Sequence, residues 1–254
     1  MIKSLSYDDV RLRDIPGDPL ISTIIESAAR QCGFGLRYDF WGVFPRRFAR
    51  KSLGYILRKG ESIWATVLDP AAAPELIEFL RFHESGWVEL DPILAALWEG
   101  QGDILTVMEY PENISCPAPL ISFREGTPTA VADCNLGAGG IEQKQYEASV
   151  VNLHLAERRR VGYSVTHWEE ESPVSAAAVC DLGSRYGEIS YVATLPRWEG
   201  HGFGRQMVYR CAEVLREKGR IPVIACEDHR ISFYRELGFI ETGTSTIFTR
   251  EPED

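Results

Sequence analysis

The residues best suited to chemistry lie in one short stretch, LPRWEGHGFGRQM, from Leu195 to Met207. Gly200, Gly202 and Gly204 alternate through it, and an amphipathic run follows directly. Glycines let a backbone come close to a ligand and turn consecutive N–H groups the same way. Where a helix starts at such a turn, its positive end favours an anion such as a diphosphate. A plain connecting turn uses the same residues, so the surroundings must decide. No Gly-Lys-Ser/Thr follows the glycines, which excludes a P-loop. The GxGxG spacing is also a poor dinucleotide fingerprint, because no βαβ unit with a suitably placed acid surrounds it. What remains is a strand, a glycine turn and a helix N-terminus.

The elements that must position this turn are legible on both sides of it. IEQKQYEASVVNLHLAERRR reads as a helix of about five turns. YSVTHWE (163–169), VSAAAVCD (174–181) and EISYVATL (188–195) read as three antiparallel strands, the last two joined by the turn LGSRYG. After the glycines comes a helix from Gly204 to Lys218 that buries Met207, Val208, Cys211, Val214 and Leu215 and stops at Gly219. IPVIAC is short and wholly apolar, as expected of a buried strand parallel to its neighbour. HRISFYREL is a last helix stopped by Gly238, and FIETGTSTIFTR a last strand.

The first half alternates helices and strands without a chemical motif. Pro19–Gly33 has the apolar spacing of a helix, with Gly33 as its stop. Ser62–Asp69 and Asp103–Tyr110 read as strands, with PELIEFLRF and DPILAALWEG as helices between them. From Pro111 to Gly140 the prolines and LGAGG mark a boundary or a long excursion, with LISFRE a candidate strand inside it. The border falls near Pro117, giving an N-terminal α/β domain over 1–117 and a second domain over 118–254. No internal sequence repeat is visible.

Composition narrows the function. The chain has 254 residues, 44% hydrophobic, with a net charge of −10, so a large core is available and the charge argues against a general affinity for nucleic acid. RRFARK (Arg46–Lys51) and the acidic tail EPED read as solvated charge. No apolar run approaches the roughly 20 residues that cross a bilayer, and the start has no apolar signal segment, so a cytoplasmic protein without a membrane partner is expected. The six cysteines form no CxxC and read as reduced core thiols. No cluster has metal-ligand spacing, and no metal is expected.

Taken together, Glu188 to Phe239 resembles the GNAT superfamily of N-acetyltransferases. A strand runs into Pro196, Gly202 and Gly204 open a helix, and FYRELGF follows the next strand. The family's loop pattern is Arg/Gln-x-x-Gly-x-Gly/Ala, and its later signature Tyr-x-x-x-Gly-Phe is matched by Tyr234, Gly238 and Phe239. The resemblance covers about Ile141 to Arg250, and the α/β texture of the N-terminal half resembles two-domain members such as the glycine N-acyltransferase-like branch. It implies a mixed α/β sheet splayed where the strand Glu188–Leu195 parts from Ile221–Cys226.

It also implies acetyl-CoA as cosubstrate and a primary amine as acceptor. The backbone of Val192, Ala193 and Thr194 would then pair with the pantetheine arm and polarise the thioester carbonyl. The loop Glu199, Gly200, His201, Gly202, Phe203, Gly204 and Arg205 would hold the pyrophosphate. Tyr234 matches the tyrosine that protonates the departing thiolate. The other reading of Tyr234 is packing beside Phe233, and because one of the two must face the core, Phe233 is the expected core residue. Glu188 starts the strand at a position used as the general base, a role also open to His167, Glu169 to Glu171 or a water chain; the bland reading is a solvated hairpin glutamate.

Two departures from the family stand out. Glu199 replaces the preferred Arg or Gln, bringing a carboxylate toward a diphosphate. The family's final strand has no counterpart near the end of this sequence, so a strand from the N-terminal half or a second subunit is expected at that open edge. The leading reading is an N-acetyltransferase acting on a small or amino-acid-like amine. A non-catalytic acyl-CoA sensor and a protein lysine or N-terminal acetyltransferase are the alternatives.

Overall fold

A computed structural model describes residues 1–32, 38–45, 51–83, 86–117, 120–121 and 124–249. The helix stop expected at Gly33, the basic residues Arg46–Arg50 and the acidic tail lie outside them. The chain forms two compact units. The first comprises Met1–Met108, Ala225–Ser232 and Glu241–Asp254; the second comprises Glu109–Ile224 and Phe233–Ile240.

The first unit begins with β1 (Ile2–Leu5), α1 (Pro19–Gln31), β2 (Asp39–Val43), β3 (Gly54–Lys59) and β4 (Ser62–Val67). It continues with α2 (Ala73–Arg81), β5 (Trp87–Leu90), α3 (Pro92–Ala95) and β6 (Asp103–Glu109). Asp18 starts α1 by accepting the Ile21 N–H at 2.7 Å, and Pro19 suits the first helical position. In β3 the period-2 alternation divides two cores. Tyr55 and Leu57 pack with Ile21 and Ile25 of α1, while Ile56 packs with Leu76 and Leu80 of α2. The sheet therefore carries a helix on each face. β4 and β5 pair in parallel from Ser62↔Trp87 to Ala65↔Leu90.

The second unit begins with β7 (Arg124–Glu125), α4 (Pro128–Gly137), α5 (Tyr146–Arg158), β8 (Tyr163–Glu169), β9 (Ser172–Leu182) and β10 (Tyr186–Thr194). α6 (Phe203–Glu217), β11 (Ile221–Cys226) and α7 (Ile231–Glu236) follow, and β12 (Ile240–Thr249) ends the described chain. From Glu241 onward β12 belongs to the first unit, where it runs beside β5 with Thr246 opposite Leu90. Strands of the second unit follow the order β11-β10-β9-β8-β7. β8, β9 and β10 form the expected antiparallel meander, and β11 joins β10 in parallel. Val131 and Cys134 of α4 and Leu153 of α5 cover one face, against Ala176, Ala178 and Ala193. On β10, a Cβ at Gly187 would meet Leu215 Cδ2 of α6 at 2.2 Å, so only glycine lets that helix settle.

Two expectations need correction. The stretch read as breakers contains α4, started by Thr127, whose hydroxyl accepts the Ala130 N–H at 3.1 Å, with Pro128 at the first helical position. The long helix expected from Ile141 is shorter: a single tight turn at Gln143–Gln145 leads into α5. Both units also run a strand, a helical segment, three antiparallel strands, a helix, a parallel strand and a helix. This repeat is one of element order, which residue identities do not display.

Candidate functional site

β10 ends at Thr194, and a tight turn over Pro196–Trp198 carries the chain to the glycines. Gly200 and Gly202 both adopt left-handed backbone, with φ of 79° and 81°. A Cβ on either would meet nothing within 4 Å, so these glycines serve the backbone conformation and leave the space above them open. Gly202 caps α6 and, having no side chain, itself offers no acceptor to the helix's first N–H groups. Gly204 serves packing instead. A Cβ there would lie 3.1 Å from Thr194 Oγ1 and 3.9 Å from Phe233 Cζ. Its absence lets the helix start lie close against the strand end.

Beneath the turn runs a row of polar side chains. His167, Ser175 and Thr194 are register partners on β8, β9 and β10. Ser175 Oγ donates to Ala193 O at 3.0 Å and lies 2.9 Å from Thr194 Oγ1. His167 is buried, its Nε2 2.9 Å from Glu169 Oε1. Its ring lies 4.2 Å from Phe203, which also contacts His201 and Trp198 at 5.7 and 6.0 Å. An aromatic bed thus supports the turn.

The charges sort themselves around it. Glu199 is exposed on extended backbone. Arg205 reaches Glu236 at 3.4 Å, and Arg197 lies over the Trp198 ring at 5.4 Å. Among the described residues, no ion pair joins Glu199 to either arginine.

Upstream of the turn, β10 departs from its neighbours twice. Its pairing with β11 covers Tyr186–Glu188 against Ile221–Val223 and extends no further. Its pairing with β9 skips from Ser190↔Ala178 to Ala193↔Ala176, so Tyr191 and Val192 form a bulge. Tyr191 has φ of 52°, uncommon for a bulky side chain. Burial, with lesser help from nearby Cys180, pushes its hydroxyl up to about 12. Glu188 is half-buried, paired with Val223 on one side and facing Asp181 on the other.

At α7 the expected division of labour is reversed. Tyr234 is the core residue, 3% exposed, with its ring 5.0 Å from Phe233 and 5.9 Å from Phe239. Phe233 is only partly buried and lies toward Gly204. The helix is a turn and a half long, and successive residues differ by about 100° around it, so spacing alone could not assign the two faces.

Residues 131–239 match the model of the acetyltransferase (GNAT) family. The chain carries a GNAT acetyltransferase domain. Solved structures extend the likeness to the whole length at the level of fold. A GNAT-family acetyltransferase from Colwellia psychrerythraea is 10% identical, with a TM-score of 0.58 over 98% of this chain and 100% of that one. A tandem GNAT protein from the clavulanic acid biosynthesis pathway, 14% identical, covers 100% of both chains with a TM-score of 0.59. A GCN5-related N-acetyltransferase from Kribbella flavida is 17% identical and gives 0.58 over 92% and 95%. No curated protein matches the sequence.

Within the GNAT domain the structure brings together Val192, Ala193, Thr194 and the loop from Glu199 to Arg205 at the end of one strand. At the strand's other end Glu188 marks the last residue paired to β11. Asn135 and Ser175 also touch this strand, and sequence reasoning missed both. For Asn135 the available signal was the Thr127-Pro128 cap, which starts the helix that carries it. No described helix is long and apolar enough to cross a membrane. Among the described residues, no group of three His, Cys, Asp or Glu side chains is placed to hold a metal ion.

Proposed function

We propose that the GNAT domain transfers an acetyl group from acetyl-CoA to the primary amine of a small or amino-acid-like acceptor. One observation carries the reading: β10 loses β11 after Glu188, and the strand so freed leads into an uncapped helix through two left-handed glycines. That arrangement fits the cosubstrate, because an extended arm can pair with an unpartnered strand and a diphosphate can take the orphan N–H groups. Acetyl-CoA supplies the acetyl group as a thioester, whose carbon the amine attacks as the C–S bond breaks.

Backbone groups of Val192, Ala193 and Thr194 bind the arm and stabilise the negative charge that grows on the carbonyl oxygen. Removing one such fixed donor typically costs about 3–4 kcal/mol of barrier. Gly200, His201, Gly202, Phe203, Gly204 and Arg205 form the diphosphate cradle, with Glu199 at its rim turned to water. Glu188 takes the proton the amine must lose, and Tyr234 returns one to the thiolate. The protein works without a nucleic acid or membrane partner.

The test is thiol release from acetyl-CoA across a panel of amines, with mass spectrometry of the product. Amine-dependent release with an acetylated acceptor is expected. CoA that binds but is never released in an amine-dependent way would refute transfer and favour an acyl-CoA sensor. Glu188→Gln should abolish the acidic limb of the kcat/KM profile; an intact limb would move the base elsewhere.

A further inference from the structure

Asn135 stands in α4, 4% exposed, and both hydrogens of its side-chain amide are engaged. Nδ2 donates to Val131 O of its own helix at 2.9 Å and to Tyr191 O of the β10 bulge at 2.8 Å. Gly140 closes the pocket from the other side. Its N–H donates to Asn135 O at 2.8 Å, and a Cβ on it would come within 3.0 Å of Asn135 Oδ1. The side chain therefore has one orientation. It spends that orientation on the carbonyl of the one β10 residue with left-handed backbone.

The peptide plane gives this contact its meaning. Tyr191 C=O and Val192 N–H belong to one trans peptide and point in opposite directions. A hydrogen bond that draws the carbonyl toward α4 aims the Val192 N–H away from α4. The β9 ladder cannot do this, because its register skips Tyr191 and Val192. Nor can β11, whose pairing stops at Glu188. The Tyr191 ring is anchored separately, packed against the core cluster that contains Val131 and Cys134 and with its hydroxyl bonded to Ser149.

We propose that Asn135 is a positioning residue for acetyl transfer: by holding the Tyr191 carbonyl it aims the Val192 N–H at the place where the thioester carbonyl develops its charge. The inference rests on the acetyl-transfer reading of the same site. It assigns to α4, far upstream in the sequence, control over a donor that acts on β10.

Asn135→Asp tests it, because a carboxyl of the same shape offers at most one hydrogen to the two carbonyls, and none when ionised. In the full chain, kcat should fall at least tenfold while the KM for acetyl-CoA and the calorimetric CoA affinity change less than twofold. Amide exchange in a peptide spanning Ile189–Thr194 should speed at least tenfold, with exchange in α6 unchanged. Ser149→Ala, which frees the Tyr191 hydroxyl but leaves the carbonyl held, should keep kcat within twofold. If Asn135→Asp does not fold, Asn135→Ala removes the donor without burying a carboxylate and is read the same way. Unchanged kcat and exchange would overturn the proposal. So would a parallel loss of kcat and CoA affinity with faster exchange throughout the second unit, which is what a merely structural asparagine would give. If the wild-type chain acetylates no amine, the functional reading fails by itself, and exchange at Ile189–Thr194 still decides whether Asn135 holds the bulge.

Discussion

Replacing Glu89 with Gln should stabilise the first unit above pH 7 and flatten its stability against pH. Glu89 lies on β5 and is 4% exposed. Its Oε2 accepts the Trp64 Nε1–H at 2.9 Å and its Oε1 the Ser245 hydroxyl at 2.5 Å. Burial away from water pushes the carboxyl from 4.5 to about 7 against the pull of those two donors, and the charge of Asp18 adds a smaller push upward. A proton bound more tightly by the folded chain favours folding fully below pH 4.5, and that advantage is lost as pH rises through 7. At about 1.36 kcal/mol for each pH unit of that window, the loss by pH 8 is about 3 kcal/mol. For a unit of this size that is a fall of about 10 °C in Tm. Glutamine keeps both contacts, its oxygen accepting from Trp64 and its nitrogen donating to Ser245 Oγ, and it does not titrate. Urea melts of both proteins from pH 4 to pH 8 should show a stability difference that shifts by about 3 kcal/mol in favour of the variant. Every other titration cancels between the two. A difference that stays flat would refute the argument, and with it the claim that Glu89 folds as a protonated acid near neutrality.

Gly202→Val forces a branched side chain into left-handed backbone, at about 1–2 kcal/mol, and fills the open space above the turn. Calorimetry should show CoA affinity at least tenfold weaker in a folded variant, and unchanged affinity would remove the diphosphate from this turn. Glu199→Gln should alter CoA affinity less than threefold, since the carboxylate is exposed; tightening beyond tenfold with strong salt dependence would mean that it faces the phosphates. Tyr234→Phe should lower kcat and leave the KM for acetyl-CoA nearly constant, with little change in melting because the ring stays packed between Phe233 and Phe239. A kcat equal to that of the wild-type chain would reduce Tyr234 to a core aromatic.

Much of the site was legible because its parts are local. A glycine turn between a strand and a helix announces itself within a dozen residues, and the burial of Met207, Val208, Cys211 and Leu215 follows from helical spacing. β8, β9 and β10 are β-rich runs separated by turn residues, and the apolar IPVIAC lies parallel to β10 as its composition demands. The rest depends on residues far apart in sequence. Whether Tyr234 or Phe233 enters the core depends on how α7 is packed, which six helical residues do not announce. The bulge at Tyr191 leaves no trace in EISYVATL, and the amide that bonds its carbonyl lies 56 residues earlier. That amide sits in a helix hidden by prolines and glycines that mark its ends, not its absence. The repeated order of elements is invisible in the residues for a similar reason. The order of elements repeats between the units, while the side chains that build them do not.

The position of β12 has a consequence for how the molecule is made. Glu89 and the hydroxyl that satisfies it are separated by 156 residues. At about 5–20 residues per second, the ribosome releases Ser245 roughly 8–30 s after Glu89. Throughout that interval β5 has an open edge and a carboxyl without its serine. The first unit to be synthesised is thus the last to be completed, and chaperones that shield strand edges have their opportunity there.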